Sequence, residues 1–356
     1  MEKIGFGVIG CGNISRTHAK AIQEVGAAEL VACCDIDEEK GKAWAEEFDL
    51  GDNFHRDIED LLARDDIQAV SICTPSGMHS EHTIMAAQAG VHVLCEKPLD
   101  ITLKKIDDMI AAAEAHDVKL AGVFQRRTYD STKRVREVVK EGKLGKVVVG
   151  DCYQKYFRSH EYYASGDWRA TWELDGGGAL MNQGVHGIDL ILHLMGPVKR
   201  VSAIARRLVR NIAVEDTAVA IVEYENGAVG VLEGTTSISP GSGCEVEIHG
   251  DDGTVGLSGD TITKWEFPGS DETEQEVDEE GEVGTASDPL ALQATGHTEH
   301  VRDLCDSIIN DREPAIPGRE ARKAVELIKA IYKSSREGGA PVELPLSYVD
   351  DGPGID

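Results

Sequence analysis

IGFGVIGCGNISRTHAKAI at residues 4–22, closed by ELVACCD at 29–35, decides the fold. Ile4, Phe6, Val8 and Ile9 make an apolar run that ends at Gly10, long enough for a buried strand and too short for a helix. Gly10-Cys11-Gly12 turns the chain. Asn13 or Ser15 can then cap a helix whose apolar positions Ile14, Ala19 and Ile22 recur at helical spacing. Leu30 to Cys34 reads as the next strand, and it stops at Asp35. Strand, glycine turn, helix, strand and acid is the arrangement that holds a dinucleotide. Gly10 makes the tight turn, and Gly12 lets the backbone approach a pyrophosphate at the helix N-terminus. Gly10, Gly12, Asn13 and Ile14 are the candidate pyrophosphate contacts. Asp35 lies about 20 residues on, where a carboxylate accepts hydrogen bonds from an adenosine ribose. The third glycine position is Ser15, a departure that keeps the side chain small.

The bulk properties narrow the classes. The 356 residues suit two domains with a substantial core. No apolar run is long enough to span a membrane, and strand one begins within four residues of the start, which reads as no signal peptide. Eight cysteines are scattered without a C-x-x-C pair, and Cys34, Cys73 and Cys95 fall inside apolar strands, as reduced, buried thiols do. The expectation is a cytoplasmic protein. The formal charge of −28, from 64 acidic and 36 basic residues, argues against nucleic acid. It also suits a salt-rich cytosol that screens the repulsion, so a halophilic protein whose melting temperature rises with KCl is expected.

Alternation of strand and helix continues to about residue 124. Helices are expected at 37–48, 56–62, 79–89 and from Asp100 or Thr102 to about 116, with strands at 69–73, 91–95 and 119–124. Gly10, Asp35, Thr74, Lys97 and Gln125 all fall just past strand ends, where a doubly wound parallel sheet places its ligand. After Arg126 come a helix at 131–141 and a strand at 146–157, then a polar, aromatic loop and one helix from Gly178 to Met195. The pattern then turns to period two, at 198–209, 217–224, 228–235 and 244–249, with shorter strands to Phe267. Asn226-Gly227 and Asp252-Gly253 are hairpin signals. An acid-rich stretch, Ser270 to Asp288, reads as a mobile loop. Helices at about 293–310 and 320–336 precede the strand-like Pro341 to Pro345. The class is therefore α/β followed by α+β. A Rossmann domain spans 1–124, and a largely antiparallel, open-faced sheet domain for substrate binding and assembly spans 125–356.

Two stretches carry chemistry. In Glu96-Lys97-Pro98, an ammonium at a strand end beside a nicotinamide can hydrogen-bond a substrate hydroxyl, and burial near the oxidised ring lowers its pKa. In Asp175-Gly-Gly-Gly-Ala-Leu-Met-Asn182-Gln-Gly-Val-His186-Gly-Ile-Asp189, Asn182 and His186 are four apart, neighbours on a helix face, and Asp189 follows three later. An imidazole suits acid–base work on a secondary alcohol. His186, Asp189 and His193 could instead bind a metal, but that leaves Lys97 and the glycine turn without roles, so no metal is expected. Between 155 and 172, Tyr156, Arg158, Trp168 and Arg169 offer aromatic faces and cationic forks that fit a sugar ring and a phosphate, or simply a domain interface.

Gly-Cys-Gly-Asn-Ile-Ser at 10–15, Thr74-Pro75, Glu96-Lys97-Pro98 and the Gly-Gly-Gly…His186…Asp189 block occur in one order. Together they resemble the Gfo/Idh/MocA family, which includes glucose–fructose oxidoreductase and inositol dehydrogenase. The resemblance covers nearly the whole chain. It implies a Rossmann domain followed by an open-faced sheet domain, with homodimers or homotetramers formed through the sheets. It also implies hydride transfer between NAD(P) and a sugar, polyol or nucleotide sugar. By resemblance Lys97, often before a cis-proline, and His186 are catalytic, and Thr74 and Pro75 line the nicotinamide side; Glu96 and Gln125 are further candidate cofactor contacts. Many polyol-oxidising members carry aspartate where this chain has Asn182. The surrounding Met-Asn-Gln-Gly-Val-His is more similar to UDP-N-acetylglucosaminuronate 3-dehydrogenases. An enzyme that recycles tightly held NAD and a non-catalytic NAD-sensing regulator are the remaining alternatives. NAD is expected over NADP, because Asp35 repels a 2′-phosphate and neither Ile36 nor Asp37 supplies positive charge. Lys40 is the basic residue that could alter this.

Overall fold

The computed structural model describes residues 3–268 and 295–346. They form two compact units, one of residues up to Gln125 plus the segment that ends at Arg322, the other of Arg126 onward plus the chain from Lys323. The acid-rich stretch expected to be a mobile loop lies outside the described residues.

In the first unit β1 (Ile4–Ile9) leads through the glycine turn to α1 (Asn13–Glu24), then β2 (Ala28–Cys34), α2 (Glu38–Glu47), β3 (Phe54–His55) and α3 (Ile58–Leu62). β4 (Ala69–Ile72), α4 (His79–Gln88), β5 (His92–Cys95), α5 (Leu103–Ala115) and β6 (Leu120–Gly122) complete the alternation. The six strands lie in the order β3-β2-β1-β4-β5-β6, and every pairing is parallel. The order reverses between β1 and β4, which makes their carboxyl ends the binding edge of such a sheet. Local chemistry starts the helices. The Asp37 carboxylate accepts from Lys40 N at the head of α2, and Thr102, not Asp100, caps α5 by accepting from Lys105 N. Asp100 instead accepts from Ser80 N and Ile101 N. In α5, Leu103, Ile106, Met109 and Ala113 turn one stripe into the core.

The second unit begins with α6 (Asp130–Lys140), β7 (Val147–Lys155) and the short α7 (His160–Ala164). The helix expected from Gly178 is divided: Ala179–Gly184 is a π-helix, and only Val185–Met195 is α-helical (α8). β8 (Val198–Arg206), β9 (Thr217–Tyr224), β10 (Val229–Thr235), β11 (Gly243–Gly250), β12 (Thr254–Ser258) and β13 (Thr261–Glu266) follow. The later helices are α9 (Thr295–Ile309) and α10 (Gly318–Arg336), with β14 (Val342–Glu343) near the end. The eight-stranded sheet runs β13-β12-β11-β7-β10-β9-β8-β14, antiparallel except for the β7–β10 pair.

The units do not follow chain order. α9 returns to the first, where Val301, Leu304 and Cys305 join Phe6, Val8, Ile22 and Trp44 in one buried cluster. Each large side chain so buried contributes about 1.5–3 kcal/mol, so α9 is part of what holds the parallel sheet's flank. All eight cysteines are buried free thiols. No described helix is long and apolar enough to cross a membrane.

Candidate functional site

The glycine turn has the form that an anion site needs. Gly10 holds φ +90°, and a Cβ there would press on the Cys73 carbonyl at 3.0 Å. A Cβ on Gly12 would meet nothing within 4 Å, so no neighbour in the protein demands glycine there, as fits a position kept bare for a ligand. Neither Asn13 nor Ser15 caps α1. Gly12 is the N-cap and, among the described residues, no side chain caps the helix, which suits its positive end to an anion. Ser15 is used otherwise, since its hydroxyl donates to the Gly12 carbonyl and accepts from Trp44 Nε1 at 2.9 Å. The small third position is thereby tied to the core. These residues fit a dinucleotide pyrophosphate.

Asp35 stands at the end of β2 with its carboxylate fixed by backbone donors. Cys11 N donates to Oδ2 at 2.8 Å and Asp37 N to Oδ1 at 3.0 Å. Lys40 Nζ also reaches Oδ2, at 2.8 Å. Burial pushes the carboxyl's pKa up, but the bonds from Lys40, Asp37 and Cys11 outweigh it and hold the group below its usual range. Ile36 is exposed and apolar. Lys40 therefore brings to Asp35 the positive charge that the two residues next to it lack.

Beyond β4 and β5 the chain is clamped. His79 is buried, with Nδ1 2.9 Å from the Pro98 carbonyl and Nε2 2.9 Å from the Thr74 carbonyl. One ring thus ties the Thr74-Pro75 loop to the loop that carries Lys97, and Thr74 Oγ1 lies 3.1 Å from His82 Nδ1. The Lys97–Pro98 bond is cis. Glu96 is buried, and His18 Nε2 at 2.8 Å and His297 Nε2 at 3.2 Å both meet its Oε1. Its other oxygen accepts from Lys97 N at 3.0 Å. Burial raises the Glu96 pKa, yet the two imidazole bonds carry it well below the ordinary carboxylate value. His18 shifts downward through burial, only partly offset by Glu96, and its Nδ1 meets the Ser71 hydroxyl. A neutral imidazole and an ionised carboxylate satisfy this arrangement. Among the described residues, His18, Glu96 and His297 are also the one group with metal-ligand spacing. Hydrogen bonds already account for their facing atoms.

In the second unit, Glu215 shapes the segment that carries Asn182. Its carboxylate accepts from Gly178 N and Leu180 N, each at 2.9 Å, and from the Tyr332 hydroxyl at 2.8 Å. A Cβ on Gly178 would sit 1.8 Å from the Glu215 carbonyl oxygen, so the last glycine of the run serves a backbone approach. Burial raises the Glu215 pKa to about 7 despite the bonds from Leu180, Tyr332 and Gly178.

Asn182 lies in the π-helical stretch and His186 in the first turn of α8, so they do not share one regular helix face. Asp175, buried, accepts from Asn182 Nδ2 at 2.7 Å, and Asn182 Oδ1 accepts from Gln183 Nε2 at 2.8 Å. His186 is half-buried. Asp189 forms a buried bidentate pair with Arg127 at 2.6 and 2.7 Å. In the aromatic loop Arg169 lies over Tyr162 and Trp168, 4.4 and 4.5 Å from their ring centroids, and donates to the Tyr162 hydroxyl at 2.8 Å. Arg158 donates to Gln183 Oε1 at 2.8 Å and lies over the Tyr156 ring, and both residues are buried. Gln125 is buried at the start of a 3-10 turn just past β6. Sequence reading missed His18, His297, Asp175, Gln183, Glu215 and Tyr332. Each acts through a neighbour, and no local pattern marks such a residue.

Comparison with known proteins agrees with this geometry. Residues 4–124 match the description "Oxidoreductase family, NAD-binding Rossmann fold", and residues 136–344 match "Oxidoreductase family, C-terminal alpha/beta domain". The WlbA dehydrogenase from Bordetella pertussis, solved in complex with NADH and UDP-GlcNAcA, is 33% identical with a TM-score of 0.86, over 97% of this chain and 100% of that one. D-apiose dehydrogenase from Paraburkholderia graminis is 29% identical over 93% of this chain and 87% of its own length. Myo-inositol 2-dehydrogenase from Thermotoga maritima is 26% identical over 93% of this chain and 96% of its own.

Proposed function

The chain belongs to the Gfo/Idh/MocA oxidoreductase family, and from that premise we propose how its residues divide the work. It is an oxidoreductase that moves a hydride between a secondary hydroxyl of a sugar or polyol and nicotinamide. Nicotinamide supplies the hydride acceptor. Gly10, Gly12, Asn13 and Ile14 hold the pyrophosphate, Asp35 the adenosine ribose, and Thr74, Pro75, Glu96 and Gln125 the nicotinamide end, with NAD preferred. Lys97 donates a hydrogen bond to the reacting hydroxyl and stabilises it as its proton leaves. His186 accepts that proton while the carbinol carbon gives up its hydride, leaving a carbonyl. Asn182, fixed by Asp175, orients the substrate beside His186. The observation that carries this reading is Lys97 at the carboxyl end of β5, its backbone N–H held by an ionised, buried Glu96.

A second, narrower reading is that the sugar bears a nucleotide diphosphate and a carboxylate. The likeness to WlbA over nearly the whole chain supports it, as do Arg158 and Arg169 among the aromatic rings of their loop. In this proposal the unit of residues up to Gln125, with the segment that ends at Arg322, serves the dinucleotide, and the unit from Arg126, with the chain from Lys323, serves the sugar and assembly into a dimer or tetramer.

The test follows NADH absorbance with a panel of aldoses, inositols and UDP-sugars. Reduction of NAD by a UDP-hexuronate and not by free sugars supports the second reading, and the reverse removes it. Conversion of a sugar without net NADH would contradict the dehydrogenase assignment.

A further inference from the structure

Lys40 is the third residue of α2, and its ammonium is a mobile partner of Asp35. The other donors to that carboxylate are the backbone N–H groups of Cys11 and Asp37, which cannot leave without breaking the turn. The Lys40 side chain is 45% exposed on a four-carbon stem, and a half-exposed ion pair of this kind contributes at most about 1 kcal/mol. Releasing it costs little. Asp37 carries an acidic, accepting side chain that caps Lys40 N, and Ile36 is exposed without charge, so neither answers an anion at this edge. A 2′-phosphate on the adenosine ribose would arrive as a dianion beside Asp35. Repulsion from that carboxylate would be offset only by a cation able to turn toward the phosphate.

We propose that Lys40 sets the cofactor ratio, staying on Asp35 when the ribose carries a 2′-hydroxyl and turning to the phosphate when it carries a 2′-phosphate. NADP is then a weaker second cofactor rather than an excluded one. The inference rests on the reading of Asp35 as the ribose acceptor, and it adds the residue that limits Asp35's selectivity.

Fluorescence titration of the full chain with NADPH and with NADH, without sugar, tests it through binding alone. The unsubstituted protein should bind NADPH measurably but more weakly than NADH, and added KCl should weaken NADPH the more. Lys40→Ala should raise the ratio of the NADPH to the NADH dissociation constant at least about tenfold, whereas Lys40→Arg should leave it within about threefold. Circular dichroism of both variants confirms that an exposed side chain was changed without unfolding. An unchanged ratio in Lys40→Ala, or no NADPH binding by the unsubstituted protein, overturns the proposal and leaves the NAD reading in place. Tighter binding of NADPH than of NADH by the unsubstituted protein would contradict the NAD preference itself, so the two failures are distinct.

Discussion

Glu96 is ringed by donors: two imidazole N–H groups on one oxygen and the Lys97 amide on the other. Only an ionised carboxylate accepts all three. Glu96→Gln keeps the shape but turns one end into a donor, which must then face a donor. A loss of about 2–3 kcal/mol in urea unfolding is expected, together with a fall in turnover, because Lys97 loses its anchor. The pH dependence has a definite sign. The folded-state pKa is depressed, so its contribution is present above the unfolded value of about 4.3 and is lost as pH falls through the lower folded value. The glutamine variant should lack that acid-side loss, and an unchanged acid limb would contradict an ionised Glu96. Gly10, Asp35 and Lys97 were legible because each stands where a strand ends, and strands announce themselves by apolar runs. Lys40 was visible as a basic residue, but only the fold of α2 shows its reach.

The segment from Gly178 to Met195 is one apolar, helix-like run in the sequence, and its division into a π turn and an α-helix was not legible. The cause lies far along the chain. Glu215 accepts from Leu180 N across 35 residues, and the same residue's backbone oxygen takes Ala179 N at 3.0 Å. These bonds hold the first turn wide, and Gly178 admits the approach. The raised pKa of Glu215 gives this element its own signature. A carboxyl that folding moves from 4.5 to about 7 favours the folded state below the lower value and loses that advantage as pH rises through the higher. Stability should therefore fall between about pH 4.5 and 7, by an amount on the order of 3 kcal/mol. Glu215→Gln should flatten that slope in melts taken across the same range. If the variant keeps the full slope, another group is responsible.

For the molecule as a whole, the parallel sheet and the later antiparallel strands were legible from periodicity, since period two and apolar runs are local. The return of α9 to the first unit was not, because its apolar stripe does not say which core receives it. The exposed face of the eight-stranded sheet carries several apolar residues on β8, β9 and β10. Ile204 opposite Val219, with Ile221 and Val229 on neighbouring strands, are between 43% and 64% exposed. A contiguous exposed apolar patch marks an interaction surface, and a second copy as its partner is our proposal here. Sedimentation should show a dimer or larger, and Ile221→Glu should shift it towards monomer; a monomeric unsubstituted chain would remove the idea. Lys97 and His186 belong to different compact units, and their joint action on one hydroxyl is our proposal. It is tested most directly by single-turnover hydride transfer with saturating NAD and the sugar that the panel identifies. Lys97→Ala and His186→Ala should each lose about 10²–10⁴-fold with NADH binding retained, and the double variant should lose less than the product of the two. Near-native hydride transfer by His186→Ala, with NADH still bound, would contradict the account.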